Sequence, residues 1–470
     1  MRLFPPDLEI GQEEGFDQEK DIFGRRQFGY KLTKIVQALE HPAVLLLDGY
    51  WGTGKTTFIK MWLGELSKLG VPTIYFDAFA NDYHEDAFIT LAGEIVARAE
   101  ELGHQDSRSF AAFKEGAINV GKALVRASLR IGVRVASAGV LTGAELEGIK
   151  ITGEAAKAAG DETAKALDDL LKERLESHKA DRAAFERFKA ALTDLIQVLS
   201  PSGEPTHGKE EATPDKGSTP SLIFVIDELD RCRPSFALDL LEKIKHFFGT
   251  EGVIFILVSS LRQLESAVHY AYGDVEARAY LEKFYHLRLL FPSDAAGHPH
   301  ERATAIYLMR LFPGEGAATR RNIILNFCVL RPLSLRTLER IAAYMNIISV
   351  STPIRSVEIA ELFMVLCIIK VLDPDLYRAA RNKRLTLDQL NNFLRTTDWK
   401  DEGRPQEPSQ IGTHVWDWWA YVLGGQLNEG TKETLRQSLA QYNFGDPAEL
   451  IPYYCDLIDG FAFPDEIETR

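Results

Sequence analysis

The stretch Leu45-Leu46-Leu47-Asp48-Gly49-Tyr50-Trp51-Gly52-Thr53-Gly54-Lys55-Thr56-Thr57 decides the fold of this 470-residue chain. It places an apolar strand directly before the pattern G-x-x-x-x-G-K-T, whose backbone and lysine bind the phosphates of nucleoside triphosphates. Apolar residues at helical spacing follow the pattern, so it has the strand–loop–helix context that a chance match usually lacks. A glycine-rich turn that binds no nucleotide is the disfavoured alternative. The stretch predicts a nucleoside-triphosphate site.

Each residue type in this loop suits one task. The glycines leave the backbone free to approach a triphosphate, and the following helix points its positive end at the anion. Lys55 is spaced to reach the β and γ phosphates, the Thr56 hydroxyl to bind Mg²⁺, and the Thr57 hydroxyl to lie near the α phosphate. The predicted nucleotide-binding residues are Gly49, Tyr50, Trp51, Gly52, Thr53, Gly54, Lys55, Thr56 and Thr57.

A second acidic motif follows another apolar run. The apolar run 222–226 is followed directly by Asp227-Glu228-Leu229-Asp230-Arg231. The carboxyl end of a strand is where an α/β sheet presents groups to its ligand. Asp227 is predicted to hold Mg²⁺ through its water shell, and Glu228 to polarise the water that attacks the γ phosphate. A solvated acidic turn is the alternative, disfavoured by the pairing with the glycine loop. Two adjacent acids favour hydrolysis.

Composition narrows the class of protein. Hydrophobic residues make up 45% of the chain, enough for the cores of two to four domains. The formal charge of −14 disfavours broad binding to duplex DNA, whose phosphates would repel it.

Four cysteines without a C-x-x-C pair indicate neither a disulfide framework nor structural zinc. The first residues lack the features of a signal peptide, and the longest apolar stretch, 362–372, is too short to span a bilayer, so a cytoplasmic chain without a transmembrane helix is expected.

The pattern of strands and helices predicts an α/β fold: a P-loop NTPase with a mostly parallel sheet flanked by helices, a long helical insertion and a helical C-terminal region. Near-continuous apolar runs at 73–76, 222–226 and 253–258 suit a parallel sheet covered on both faces. A helix is expected over 16–40, with its apolar residues at helical spacing after a turn-like segment at 23–26, and another helix over 236–248. The predicted domains are 1–106 and 221–292 as two parts of the NTPase domain, 107–199 as the insertion, 200–220 as a flexible loop, 293–400 as a helical lid-like domain, and 401–470 as a C-terminal extension.

These motifs together resemble the KAP family of P-loop NTPases, within the AAA-like and STAND-like group of ATPases, over about residues 21–344. The resemblance rests on the glycine loop, on Phe76-Asp77-Ala78-Phe79, on Ile226-Asp227-Glu228-Leu229-Asp230-Arg231-Cys232-Arg233-Pro234, and on Tyr280-Leu281-Glu282-Lys283-Phe284. It implies ATP and Mg²⁺ as cofactors, and hydrolysis coupled to conformational change or assembly. Bacterial relatives are often linked to defence against phage, which makes that role an expectation here.

The chain departs from the family pattern in three places. Asp77 and Phe79 stand where the family often has Asn and Trp, and Leu333 replaces a basic residue in the segment 330–336. A polar helical insertion stands where many relatives carry transmembrane helices, so the chain resembles a soluble, prokaryotic-type member. In the same segment Arg336 is predicted to sense the γ phosphate, completing a catalytic set with Lys55 and Glu228; a surface arginine on a helix is the alternative.

Weaker candidates surround these motifs. Ser259, at the end of the run 253–258, is either a sensor that orients the water or a helix cap. A catalytic arginine could be supplied to a neighbouring subunit, with Arg231, Arg233 and Arg278 as candidates.

Two further sequence features point to surfaces or cores rather than to catalysis. A basic stripe on the helix 114–135 could contact phosphates, anionic lipid or an acidic protein, with a solvated face as the alternative; it consists of Lys122, Arg126, Arg130 and Arg134. His298 and His300 are expected in an exposed loop. The tryptophans at 416, 418 and 419 are expected to form a small core or docking surface.

Three functions are compatible with these residues. The leading one is a Mg²⁺-dependent ATPase. The second is a nucleotide-gated scaffold or sensor with little turnover, acting through protein partners or a homo-oligomer. The third is a small-molecule kinase with Asp77 as the base, disfavoured because Glu228 suits water activation and no arginine-rich lid is evident.

Overall fold

The computed structural model describes residues 8–84, 86–138, 180–199, 222–292, 298–314, 317–330, 333–351, 357–394, 410–440 and 446–460. The predicted loop 200–220 lies outside these ranges. Within them the chain forms a five-stranded sheet wrapped by helices and a second, all-helical region.

The sheet is parallel throughout the pairs observed. Its strands are β1 (Ala43–Asp48), β2 (Thr73–Asp77), β3 (Leu222–Asp227), β4 (Val253–Ser259) and β5 (Leu287–Leu290), in the spatial order β2-β3-β4-β1-β5. Asp48 is in register with Ser259, and Asp77 with Asp227. The carboxyl ends of β1, β2, β3 and β4 therefore meet at one edge, with β4 between the strand of the glycine loop and the strand of the acidic motif. The predicted fold class is confirmed.

Helices cover both faces of the sheet. They are α1 (Arg26–Ala38), α2 (Lys55–Lys68), α3 (Ala87–Glu101), α4 (Arg108–Ala138), α5 (180–199), α6 (Pro234–Lys243), α7 (Leu261–Tyr272) and α8 (Ala277–Leu281). Leu45 and Leu47 pack on the face of α1 and α2, whereas Val44 and Leu46 pack on the opposite face. Because side chains alternate along a strand, only a continuous apolar run can fill both layers.

The described part of the insertion is helical and belongs to the core of the sheet domain. Phe188 of α5 contacts Phe113 of α4 and Phe88 of α3, with ring centroids 5.3 and 5.1 Å apart. Lys122 is exposed on α4, while the side chains of Arg126, Arg130 and Arg134 lie outside the described residues. The role proposed for the basic stripe stays a prediction.

The C-terminal helices form a core of their own. They are α9 (His298–Leu311), α10 (Ala318–Leu330), α11 (Leu335–Ser351), α12 (Val357–Leu372), α13 (Pro374–Arg381), α14 (Leu387–Leu394), α15 (Gln410–Val422), α16 (Glu429–Ala440) and α17 (Leu450–Gly460). Every side chain from Leu362 to Ile369 is buried in this core, and so are Trp418 and Trp419. The apolar stretch and the tryptophans are thus explained by packing. Among the described residues, no helix combines the length and hydropathy needed to cross a bilayer.

The structure corrects three sequence expectations. The predicted helix 16–40 begins only at Arg26, after the turn-like segment. The Asp21 carboxylate accepts the backbone N–H groups of Arg25 and Arg26 at 2.8 and 2.9 Å, which stabilises this start because the first N–H groups of a helix have no partner within it. His298 begins α9 instead of lying in a loop. The helix expected over 236–248 is α-helical only as far as Lys243. The following residues, Ile244–Phe248, form a single π-helical turn.

Candidate functional site

The glycine loop connects β1 to α2 at the carboxyl edge of the sheet. Gly52 and Gly54 have φ of +74° and +81°, the left-handed region that glycine enters without steric cost. The N–H of Gly49 donates to the Ser259 carbonyl at 3.1 Å, which ties the start of the loop to the neighbouring strand β4. The loop therefore has the backbone shape that its glycines predict.

Lys55 begins α2 and points back into the loop. Its Nζ donates to the carbonyls of Gly49 and Tyr50 at 2.5 and 3.0 Å, and the residue is 9% exposed. Burial lowers the pKa of Lys55, although nearby carboxylates, Asp230 foremost, act in the opposite direction. A buried ammonium at a helix N-terminus is a strong attractor for phosphate oxygens.

Asp227 ends β3 and lies against the first turn of α2. It is 1% exposed, and its carboxylate accepts hydrogen bonds from the Glu228 N–H at 2.8 Å, from the Tyr75 hydroxyl at 3.1 Å, and from the Thr56 hydroxyl. Burial raises the pKa of Asp227, and these hydrogen bonds partly offset that rise. The two predicted metal residues, Thr56 and Asp227, are thus brought into contact.

The donor set fits Mg²⁺. Mg²⁺ prefers hard oxygen ligands and is usually held by one or two carboxylates together with substrate phosphates and water. Asp227 and Thr56 supply a carboxylate and a hydroxyl beside the phosphate-binding loop. In the described part of the chain, no group of three or more His, Cys, Asp or Glu side chains is placed to hold a metal ion.

Glu228 follows Asp227 in a strained backbone conformation. Its φ of +59° is left-handed, which is uncommon for a residue with a side chain and is often found at functional sites. The Arg231 guanidinium holds both carboxylate oxygens of Glu228, each at 2.8 Å. Burial raises the pKa of Glu228, with Asp77 adding to the rise and Arg231 opposing it.

Asp230 links three parts of the site. Its Oδ2 accepts from the Trp51 indole N–H at 2.7 Å and from the Ser260 N–H at 2.8 Å. The glycine loop, the turn after β3 and the start of α7 therefore meet at one carboxylate. The sequence contained Asp230 within its most specific motif but did not reveal this role, because both partners are distant along the chain.

Two further residues of the site carried no sequence signal. Tyr75 comes from β2, and burial beside Asp227 raises the pKa of its hydroxyl, so Tyr75 stays protonated and donates. Arg25 is 6% exposed, stacks on the rings of Phe23 and Phe291 at 4.7 and 4.5 Å, and donates to the Thr53 carbonyl at 2.7 Å.

A cavity of about 380 Å³ lies beside these residues and extends beyond the sheet edge. It is lined by Arg25, by residues 50–58 of the glycine loop and α2, and by Asp227, Glu228, Asp230 and Arg231, whereas Tyr75 lies outside the lining. One wall comes from the N-terminal segment, including Lys20 and Phe23. The opposite wall comes from α9 and α11, including Tyr307, Arg336 and Glu339. The cavity is therefore shared between the sheet domain and the C-terminal helices.

Arg336 lies in this wall, in the first turn of α11. The preceding Leu335 donates its N–H to the Gly52 carbonyl at 3.0 Å, which fixes the start of the helix against the loop. Arg336 itself is exposed. The structure thus brings Arg336 to the same cavity as Lys55 and Glu228, while its sensing role stays a prediction.

The weaker candidates lie apart from the cavity wall or are already paired within the chain. Ser259 is fully buried, and its hydroxyl has no partner among the described residues. The cap position of α7 belongs to Ser260, whose side chain makes no capping bond, so the helix-cap alternative for Ser259 is wrong. The Asp77 carboxylate accepts the N–H of Ala80 at 2.9 Å and does not line the cavity.

The three arginines considered for a neighbouring subunit all have intrachain partners. Arg231 pairs with Glu228, Arg233 binds Asp82, and Arg278 pairs with Glu265 at 2.9 Å. A role in a second subunit would require one of these contacts to break.

The sheet order, the glycine loop and the acidic motif define a P-loop NTPase. The model of the KAP family P-loop domain matches residues 25–349, and the chain belongs to the KAP family.

Comparisons with individual proteins add little to that assignment. A solved structure of the ORC2 protein of Aeropyrum pernix in its ADP form is similar over 94% of this chain and 96% of that chain, with 13% sequence identity and a TM-score of 0.28. No curated protein matches the chain.

Proposed function

We propose that this protein binds ATP with Mg²⁺, hydrolyses it, and uses the nucleotide state to change the contact between its sheet domain and its C-terminal helices. The observation that carries the proposal is the convergence of Lys55, Thr56, Asp227 and Glu228 on one cavity. In the sequence these residues are separated into two motifs far apart.

The arrangement suits phosphoryl transfer to water. Lys55 and the N-terminus of α2 offset the negative charge of the β and γ phosphates, while Thr56 and Asp227 supply oxygen ligands for the metal. Bound Mg²⁺ would neutralise the charge that develops on the phosphate oxygens. Glu228 accepts a proton from the water while the water oxygen bonds to the γ phosphorus and the bond between that phosphorus and the β-phosphate oxygen breaks, which releases ADP and phosphate. Arg336 contacts the γ phosphate from α11.

The cavity wall supports the coupling part of the proposal. A triphosphate held by the loop would also contact side chains of α9 and α11, because both helices line the cavity. A cytoplasmic location, expected from the composition of the chain, and a role in defence against phage, expected from the family resemblance, complete the proposal. Protection of bacteria by the wild-type gene, lost with Lys55→Ala, would support the defence role.

A nucleotide-gated scaffold with little turnover is the second candidate. The observation that favours it is the Glu228–Arg231 ion pair. Arg231 contacts both carboxylate oxygens of Glu228, so neither oxygen is left without a partner to accept a proton from water. The kinase alternative is weakened because Asp77 does not line the cavity.

The test is nucleotide affinity, ATP turnover and solution mass for the wild type, Lys55→Ala and Glu228→Gln. Lys55→Ala should lose nucleotide affinity. Glu228→Gln should keep affinity and lose turnover by about 10²- to 10⁴-fold, the usual contribution of a general base. Lys68→Ala is the matched control, because Lys68 lies at the other end of the same helix, exposed, and should change neither quantity.

Each outcome decides between the candidates. Turnover of Glu228→Gln at the wild-type rate would show that Glu228 does not activate the water. Tight binding by the wild type without turnover, accompanied by nucleotide-dependent assembly, would favour the scaffold. Absence of nucleotide binding by the wild type would overturn both.

A further inference from the structure

Tyr75 reaches the proposed metal site from a neighbouring strand. It lies on β2, where it is in register with Val225, two residues before Asp227 on β3. Side chains two residues apart on a strand share a face, so Tyr75 and Asp227 lie on the same face of the sheet. The Tyr75 hydroxyl donates to Asp227 Oδ2 at 3.1 Å, while Asp227 Oδ1 accepts the Glu228 N–H at 2.8 Å.

The position of the Tyr75 ring is set by the same helix that supplies the metal-binding hydroxyl. The Lys60 ammonium lies over the ring, 5.6 Å from its centroid. Lys60 is four residues after Thr56 on α2, one helical turn away and on the same face. Helix α2 thus contacts the carboxylate through Thr56 and the tyrosine through Lys60.

We infer that Tyr75 is a positioning residue of the Mg²⁺ site: its hydroxyl fixes the orientation of the Asp227 carboxylate relative to the Thr56 hydroxyl. This inference rests on the proposed function. Without the Tyr75 hydroxyl, the Asp227 carboxylate keeps its hydrogen bonds from Glu228 and Thr56 and the nearby charge of Lys55. One of its oxygens loses a donor, so the carboxylate can rotate. Removal of such outer partners typically weakens metal binding by about 10- to 100-fold.

The experiment compares metal-dependent and metal-free nucleotide binding. Affinity for an imido-bridged, non-hydrolysable ATP analogue is measured in excess EDTA and across a MgCl₂ titration. For Tyr75→Phe the Mg²⁺ concentration at half-maximal effect should rise by about 10- to 100-fold, while the affinity in EDTA stays at the wild-type value. The phenyl ring keeps the packing and the contact with Lys60, so only the hydroxyl is removed.

Tyr377→Phe is the matched control. The Tyr377 hydroxyl donates to the Cys455 carbonyl at 3.1 Å and to Asp459 at 3.2 Å in the C-terminal core. Tyr377→Phe, like Tyr75→Phe, removes a tyrosine hydroxyl that donates a hydrogen bond within the protein. Neither the nucleotide affinity in EDTA nor the Mg²⁺ titration should change in this variant.

A double-mutant cycle shows whether Tyr75 acts through Asp227. In the Asp227→Asn background, Tyr75→Phe should cause no further shift in the Mg²⁺ titration, because residues that act as a unit are not additive. An equal shift in both backgrounds would overturn the inference.

Three other outcomes are also decisive. A wild-type Mg²⁺ titration for Tyr75→Phe overturns the inference and leaves the proposed function standing. An equal loss of affinity with and without metal overturns it in favour of a structural role for the hydroxyl. Binding by the wild type that does not depend on Mg²⁺ removes the proposed function as well, and that result is visible without any variant.

Discussion

Gly52 and Glu228 face the same cavity with left-handed backbones, but for different reasons. At Gly52 the conformation brings the loop close to α11: a Cβ added there would lie 3.0 Å from Arg336 Cβ and 3.0 Å from Ser334 Oγ. Glu228 adopts a left-handed backbone although it has a side chain, and this conformation places its carboxylate at the cavity wall. A left-handed backbone costs a residue with a side chain about 1–2 kcal/mol.

Gly52→Ala should weaken nucleotide binding by about tenfold, because the added Cβ would press on Arg336 and Ser334 and displace the loop from its phosphate-binding shape. Overpacking costs about 1–3 kcal/mol, and about 1.4 kcal/mol is a factor of ten in affinity. Gly103→Ala is the control. Gly103 has a similar φ of +79° but nothing within 4 Å of an added Cβ, so the same backbone strain should lower stability without changing affinity. Fluorescence titration and chemical denaturation of both variants measure the two effects. Equal affinities for the two variants would contradict the role assigned to the contact with α11.

The pH dependence of turnover should report the environment of Glu228. Because burial raises the pKa of Glu228, its basic form is lost on acidification at a higher pH than for an ordinary glutamate, about 4.3. The acid limb of the turnover rate at saturating Mg²⁺ and ATP should lie above that value.

Arg231→Ala should move this limb further upward, because Arg231 is the group that lowers the pKa of Glu228. Arg233→Ala is the matched control, since Arg233 binds Asp82 and not Glu228. The acid limb of the pH profile of turnover should lie at the same pH in Arg233→Ala as in the wild type. A downward shift for Arg231→Ala would mean that the pair does not govern the titration.

Local motifs revealed part of the site, and contacts between distant residues supplied the rest. The roles expected of Lys55, Thr56 and Asp227 follow from residue types at short spacing. Tyr75 and Asp227 are 152 positions apart, and Trp51 and Asp230 are 179 apart. Such contacts depend on the order of strands in the sheet, which no local pattern encodes.

At the scale of elements, helix α2 is packed against the N-terminal segment as well as the sheet. A Cβ added at Gly64 would lie 2.3 Å from the Glu14 carbonyl oxygen. Phe16 donates its N–H to the Glu65 carboxylate at 3.0 Å, and Glu14 pairs with Lys20, which lines the cavity. The helix that carries Lys55 thus also positions the outer wall of the nucleotide cavity.

Gly64→Ala should displace this segment, lower stability by about 1–3 kcal/mol through overpacking, and weaken nucleotide binding although it leaves the loop intact. Gly93→Ala on α3 is the control, because nothing lies within 4 Å of its added Cβ. Replacing a helical glycine by alanine there should stabilise the protein by roughly 1 kcal/mol. Denaturation midpoints and nucleotide titrations measure both. Unchanged affinity in Gly64→Ala would show that the segment does not contribute to binding.

Elements with long periodic patterns were predictable, whereas short ones were not. Strands β1 to β4 carry apolar runs that fill two layers. Strand β5 has only four residues, and Leu287 and Leu290 are exposed, so it lacks the pattern that marked the others. The exact start of α1 could not be read from Phe28, Leu32 and Val36, which only share helical spacing, because it depends on the hydrogen bond from the Arg25 N–H to the Asp21 carboxylate. The domain boundaries drawn from composition stay a prediction.

At the scale of the whole molecule, helix α11 joins the two cores. Leu338, Ile341 and Met345 are buried in the C-terminal core, while Leu335 at the start of the same helix is hydrogen-bonded to the nucleotide loop. A ligand in the cavity can therefore act on both regions through one rigid element.

Hydrogen exchange should show this connection. Addition of Mg²⁺ and ATP should slow amide exchange at residues 335–339 as well as at 50–57, because opening of either segment would lose contacts with the nucleotide. Helix α16 (Glu429–Ala440) does not line the cavity and should exchange at the same rate in both states. Protection confined to 50–57 would show that nucleotide binding is not transmitted to the C-terminal helices.

The strand order also determines when the sheet can assemble during translation. Neither β1 nor β2 pairs with the other: β1 pairs with β4 and β5, and β2 with β3. Among the described strands, the first pairing partner of β1 along the chain begins at Val253, about 200 residues after β1 ends at Asp48. At roughly 5–20 residues per second, the apolar strand that carries the nucleotide loop leaves the ribosome about 10–40 s before β4 or β5 can cover its edges. Nascent chains of this protein therefore have an extended period in which a chaperone, or an early contact with α1 and α2, must shield that strand.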